Sequence, residues 1–352
     1  MKALCIYAGP KAMAHIERHG LQPEHISVIP AAAGGPKGLI LGPLDRFLFG
    51  QWLPQSTQPI DLVGASVGAW RMATACLADP VNGFERLAHD YMHQRYAPSA
   101  GRKRPTAQQV SDEFGRTIEA FYQGHVNEVL NHPRYRLHLI TSRGKHILHR
   151  EHSVLTPLGY AGAYLSNMVQ RKAMGAWLER VVFSSRGQLP FDTHDFASRQ
   201  VALTANNFND AMKASCAIPF VLKAVHDIAG APKGAYWDGG ITDYHLHLPY
   251  KGLVLYPHFQ KAVVPGWLDK SLKWRHTSTP FLDNTIVLAP NPDWVKTLPN
   301  GKLPDRSDFV RYEHDFEGRV AAWQTAVTAS EQMAQEFAAW LEQPNLAQVQ
   351  PI

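Results

Sequence analysis

The chain has 352 residues, 45% of them hydrophobic and 18% charged, enough apolar content for a large core and too little charge for an extended disordered polymer. Its net charge of +5 suits anionic partners in general but is too small to choose between phospholipid headgroups and nucleic acid. The three cysteines, Cys5, Cys76 and Cys216, form no CxxC pair and leave an odd count, which argues against a disulfide framework and for a reducing, cytoplasmic compartment.

Met1 to Tyr7 runs at once into Gly9 and Pro10, so no signal-peptide apolar region forms. Gly9 to His19 reads as a helix with Gly20 as its C-cap. His25 to Ile29 reads as a strand that enters Ala33-Gly34-Gly35-Pro36-Lys37-Gly38, and Leu39 to Phe49 as the helix after that loop. Ile60 to Val63 is a second strand, entering Gly64-Ala65-Ser66-Val67-Gly68, and Ala69 to Ala78 is helical in composition. A helix-leaning insertion follows at about 80–133, with a flexible-loop composition at Ser99 to Pro105. Tyr135 to Thr141 is a further strand. The apolar-leaning stretch Val154 to Met168, interrupted by Pro157, Gly159, Gly162 and Asn167, falls short of the ~20 apolar residues of a spanning helix; a core helix is favoured there over a lid. Ala161 to Leu178 is expected to be helical and Arg180 to Ser185 a strand.

Ala211 to Cys216 begins a helix that Pro219 ends, Leu253 to Leu255 and Thr285 to Leu288 are strands, and a helical pattern over 319–341 is expected to pack across the sheet as a final layer. No internal repeat is present. Alternating strands and helices predict one elaborated α/β domain over residues 1–352 with a mainly parallel sheet covered on both faces.

A Gly-x-Ser-x-Gly between an apolar strand and a helix places its serine on a turn so tight that Gly64 and Gly68 must supply the room around Ser66. Alone, the pattern also fits an ordinary strand-to-helix turn. The loop around Gly34, Gly35 and Gly38 can aim unshielded backbone N–H groups at a developing oxyanion, with Lys37 adding positive charge or serving the loop structurally. It lacks the spacing of a nucleotide-binding P-loop. Asp238-Gly239-Gly240 fits a simple turn, but a buried Asp238 within reach of a serine hydroxyl can act directly as the base, because desolvation raises its pKa toward working pH.

In this order the three segments resemble the patatin-like phospholipases, whose signatures are a Gly-Gly-x-Lys/Arg-Gly loop, a Gly-x-Ser-x-Gly elbow and an Asp-Gly-Gly/Ala turn. Ala214-Ser215-Cys216-Ala217-Ile218-Pro219-Phe220 is similar to that family's Ala-Ser-x-Ala-x-Pro segment, so the resemblance runs from about His25 to Asp243. It implies a three-layer α/β/α fold, a Ser66–Asp238 catalytic dyad, an oxyanion hole from the Gly34 and Gly35 amides shaped by Gly38, and hydrolysis of lipid esters through an acyl-enzyme with no cofactor or calcium. Two departures stand out. Ala33 occupies the position of a first glycine, where its backbone N–H survives, and Trp70 is bulky enough to narrow the site.

Three further features have competing readings. His314 follows Asp238 in triad order but sits beside Asp315 with little support, and His245-x-His247 lacks a third metal ligand. Arg102-Lys103-Arg104 and the segment from Trp267 through Lys270, Lys273 and Trp274 to Arg275 suit peripheral contact with a membrane surface, or are solvated loops. The function expected is a lipase or phospholipase A type serine acyl hydrolase acting on a lipid or ester substrate. The alternatives are a weakly active membrane-surface or protein-binding module and a short-chain soluble esterase. Nucleic acid is not an expected partner, and oligomeric state is open.

Overall fold

The computed structural model describes residues 1–96, 104–193, 195 and 197–352. Eleven strands lie among them: β1 (Leu4–Ala8), β2 (Ile26–Ala31), β3 (Ile60–Gly64), β4 (Tyr135–Gly144), β5 (Leu178–Ser184), β6 (Ser198–Ala202), β7 (Val225–His226), β8 (Ala235–Asp238), β9 (Leu253–Pro257), β10 (Thr285–Pro290) and β11 (Val349–Pro351). They form one sheet in the order β11-β1-β10-β9-β2-β3-β4-β5-β6, with β8 attached to β4 and β7 to β8. The run β10-β9-β2-β3-β4 is parallel throughout, whereas β1 against β10, β5 against β4, and β8 against both β4 and β7 are antiparallel. Every residue of β3, β9 and β10 is buried, as expected of parallel strands covered on both faces. The architecture is α/β, with a large mainly parallel sheet flanked by helices, compatible with three layers.

Local chemistry sets the elements that bear on the site. The helix Pro80–Met92 starts at Asp79, whose carboxylate accepts the Asn82 N–H at 3.1 Å, and Ala107–Tyr122 starts at a Thr106/Gln109 capping box. Together with Val126–Leu130 they form the expected helical insertion. Phe114 and Phe121 of this insertion pack edge-on against Trp70, with ring centroids 6.0 and 5.3 Å away, so the insertion walls the helix that follows the elbow. That helix, Val67–Thr74, is further anchored by Arg71, which donates to both oxygens of buried Asp45 at 2.7 and 2.8 Å.

Four expectations change. The pattern over 319–341 is two helices, Phe316–Ala329 and Glu331–Glu342; at the break the Ser330 hydroxyl donates to the Val327 carbonyl at 2.7 Å, competing with the main-chain ladder. The Leu39 to Phe49 region is a 3-10 turn over Gly35–Leu41 followed by the short helix Gly42–Phe47, restarted by Pro43. The helix placed over Ala161 to Leu178 is Leu155–Val169 followed by a tight turn, Arg171–Ala176. Finally, the stretch Val154 to Met168 is not a core helix. Its uncharged composition suggested burial, yet Val154, Leu155, Leu158, Leu165 and Met168 are exposed, and its polar residues Thr156 and Asn167 are buried alongside Gly159, Tyr160 and Ala163. No helix among the described residues is long and apolar enough to cross a membrane.

Candidate active site

Buried strand β3 ends at Gly64, and the chain turns at Ser66 with φ 56° and ψ −128°, a conformation that a residue with a side chain adopts only under strain held by its surroundings. The turn closes because its flanking positions lack side chains: a methyl group on Gly68 would overlap the Ala31 carbonyl oxygen of neighbouring β2. Gly68→Ala is therefore expected to lower stability by about 2–4 kcal/mol, read from the denaturant midpoint; an unchanged midpoint would disprove this account of the turn. The Ser66 N–H donates to Ser215 Oγ at 3.1 Å, and that hydroxyl donates on to the Ile140 carbonyl at 2.8 Å.

Asp238 reaches Ser66 through β4. On one edge β4 pairs in parallel with β3 as far as Gly64 opposite Leu139, and just beyond it pairs antiparallel with β8, where Asp238 lies opposite Thr141. The two strands meet end to end, so the elbow after β3 faces the turn after β8. The Asp238 N–H donates to the Ala217 carbonyl at 2.9 Å and the Gly239 N–H to the Ser215 carbonyl at 3.2 Å, which makes Ala214 to Phe220 the clasp between both turns. The Asp238 side chain is 6% exposed, lines one cavity together with Ser66 and accepts the Gly240 N–H at 2.7 Å. Burial pushes its pKa up to about 6, against the opposing pull of the Arg306 charge, the nearby Ser66 hydroxyl and the Gly240 N–H.

The glycine loop supplies the facing wall. Gly34 and Gly35 precede the first bonded residue of the turn Gly35–Leu41, and their N–H groups have no partner among the described residues. Gly35 adopts φ +59°, and Gly38 packs against Val67 at the start of the elbow helix. The Ala33 N–H does survive, but it is committed to the Tyr244 carbonyl at 2.9 Å and offers nothing to a ligand. Lys37, its pKa lowered by burial, lies over the Phe259 ring at 5.4 Å.

Ser66 is shared by two cavities. One, of about 1230 Å³, has Trp70, Tyr91, Phe114, Ile218, Leu222 and Phe309 among its lining residues. The other, of about 260 Å³, contains Gly34, Lys37, Asp238, Lys270 and Arg306 in its wall. Arg306 carries no sequence signal, and Lys270 stands out only within the basic, aromatic segment Trp267 to Arg275, not as part of the site. Yet the Arg306 guanidinium lies against Gly35 and is the strongest charge acting on Asp238. Lys270 sits over the Tyr244 ring at 4.5 Å, its pKa pushed down to about 8 by burial and by its cationic neighbours. Ser215 stood in a recognised segment, but its tie to the Ser66 N–H is visible only in three dimensions.

The remaining candidates fall elsewhere. Trp70 is fully buried in the wall of the larger cavity. His314 is exposed on that cavity's rim. His245 takes the Val264 N–H on Nδ1 at 2.9 Å, whereas His247 Nε2 bonds the Thr279 hydroxyl at 2.8 Å, and the described residues hold no group of three or more His, Cys, Asp or Glu placed to share a metal ion. Arg102 and Lys103 lie outside the described residues, whereas Arg104 reaches the rim of the larger cavity. Trp267 helps wall the smaller cavity, and Trp274 stands 66% exposed.

No protein-family model and no curated protein matches the chain. Among solved structures, VipD from Legionella pneumophila is similar at 13% identity and a TM-score of 0.40, over 95% of this chain and 70% of that one.

Proposed function

We propose that the protein is a serine acyl hydrolase that cleaves carboxylic esters of lipids, with Ser66 as nucleophile and Asp238 as base. The observation that carries this reading is the buried Asp238 carboxylate, its pKa raised to about 6, lining one small cavity with Ser66, a serine on a strained turn, and with Gly34, whose backbone N–H is uncommitted. The resemblance of the three motifs to patatin-like phospholipases supports the same reading.

Asp238 takes the Ser66 proton as Oγ attacks the ester carbonyl, and the Gly34 and Gly35 amides receive the negative oxygen of the tetrahedral intermediate. Collapse breaks the bond to the alcohol oxygen, which leaves with the proton held by Asp238, and Ser66 retains the acyl group. Asp238 then removes a proton from water as it attacks the acyl-enzyme; the acid departs and the proton returns to Ser66. The larger cavity exceeds the ~300–1,000 Å³ of ordinary small-molecule pockets, and its apolar wall around Trp70, Phe114, Ile218 and Leu222 suits the acyl chain, leaving the smaller cavity, with Lys37, Lys270 and Arg306, to the alcohol portion.

Two measurements test the reading. A fluorophosphonate probe should label the wild-type protein at Ser66, and p-nitrophenyl esters of increasing chain length should be hydrolysed with rising kcat/KM. Absence of labelling in folded protein would sink the hydrolase reading, and activity confined to the shortest esters would replace the lipid with a soluble ester. Because the base works deprotonated, kcat/KM for a neutral ester should rise with pH through an apparent pKa near 6 and level off above it. A profile flat between pH 4 and 8 would remove Asp238 as the base.

A further inference from the structure

The helix Leu155–Val169 is turned inside out for a water-soluble protein. From Val154 to Gln170 it has no charged residue, and Leu155, Leu158, Ala161, Leu165 and Met168 follow one another on its outer face at helical spacing. Leu158 is 57% exposed and Val169, at the end of the helix, 87%. Its inner face is fixed to the protein: Tyr160 packs against Trp237 and Phe220 with ring centroids 5.9 Å away in each case, and Asn167 donates to buried Asp269 at 2.7 Å. This is an anchored element whose apolar side has been left in water.

The apolar surface continues past the helix on both sides. The turn Lys273–Arg275 is held against it by Arg275, which donates to the Asn167 side chain at 3.1 Å and to the Met168 carbonyl at 3.3 Å, and it presents Trp274. On the other side, the Tyr160 contact leads to exposed Phe220 and Val221, which stand at the mouth of the larger cavity. An exposed apolar cluster of this kind marks an interaction surface.

Beside the helix and the Trp274 turn, the unpaired charges are basic. Lys172, one turn beyond the helix, and Lys273, beside Trp274, have no carboxylate partner among the described residues. Three carboxylates close to the helix are paired: Glu151 with Lys223, Asp227 with Arg150, and Asp269 with Arg171 and Arg275.

We propose that the outer face of the helix Leu155–Val169, with Trp274 and the Phe220–Val221 turn, docks on an anionic lipid bilayer. Aliphatic side chains with no hydrogen-bonding groups suit the acyl boundary, a tryptophan suits the headgroup level, and unpaired lysines beside them suit anionic headgroups. A bilayer against this face would also lie at the open mouth of the larger cavity.

The test is co-sedimentation of the full chain with phosphatidylcholine vesicles, with and without phosphatidylglycerol. Wild-type protein should partition onto the anionic vesicles, less so at high salt, and the triple variant Leu158→Ser, Leu165→Ser, Trp274→Ser should bind roughly tenfold or more weakly with an unchanged circular dichroism spectrum. Lys172→Glu with Lys273→Glu should weaken binding to anionic vesicles alone. Equal partitioning of wild type and triple variant, or no wild-type binding, overturns the proposal. So does a lipid-free dimer that the triple variant dissolves, which would assign the face to a second copy of the chain. Binding rather than turnover is read, so the result is independent of whether Ser66 proves to be a nucleophile.

Discussion

Ser66→Ala is expected to reduce hydrolysis of long-chain p-nitrophenyl esters by roughly 10³-fold or more. The hydroxyl is the only atom removed, and the turn that carries it is held by groups the substitution leaves in place: the Ser66 N–H bond to Ser215 and the close approach of Gly68 to β2. Stability should therefore change little, and loss of activity cannot be attributed to unfolding. What remains should reflect binding and the Gly34 and Gly35 amides alone. Purified Ser66→Ala protein with wild-type kcat/KM would exclude the proposed mechanism, whatever the fate of the other variants.

Asp238→Asn is expected to remove activity to a similar degree, roughly 10³- to 10⁴-fold, while making the protein more stable. An amide cannot take the serine proton. It can still accept the Gly240 N–H, which the carboxylate accepts at 2.7 Å, and it avoids desolvating a charge. The sign follows from linkage. The folded-state pKa is about 6, above the ordinary 3.8, so between those values the folded protein holds a proton that the unfolded chain has lost. Stability therefore falls as pH rises through that window, and above about pH 6 the carboxylate costs as much as ~3 kcal/mol. Asparagine should recover about 1–3 kcal/mol of this at pH 7.5 and much less near pH 4. Denaturant midpoints at the two pH values measure it; a variant less stable than wild type at pH 7.5 would contradict the assigned burial cost.

A group that opposes the fold while supporting the chemistry is the usual mark of a functional site. At the helix Leu155–Val169 the violated rule is burial of apolar side chains, and the function inferred there is correspondingly different.

The parts of the site legible in the chain were those governed by local sterics. Gly64 and Gly68 around Ser66, and Gly34, Gly35 and Gly38 after β2, are demanded by turns only a few residues long, so the pattern carries the geometry with it. The strands Ile60–Gly64 and Thr285–Pro290 were legible for a similar reason: a short apolar run between turn signals has few other uses. Misreadings came where local pattern and tertiary context part. An uncharged helix looks the same whether its apolar face meets a core or the solvent, and a helical pattern over 319–341 does not reveal that one serine hydroxyl will divide it.

By itself the sequence determined the α/β class, the strand–loop–helix settings of the glycine loop and the elbow, and the identity of Ser66 and Asp238 as candidates, because each follows from spacing within a short segment. Tertiary structure decided what those candidates can do. Only the pairing of β4 with both β3 and β8 brings the two residues to one point, only the clasp through Ser215 ties the elbow to the aspartate turn, and only the folded chain brings Arg306 and Lys270 to the smaller cavity. Burial, charge and pKa at a site are set by groups distant in sequence, and no local pattern records which of them will be neighbours.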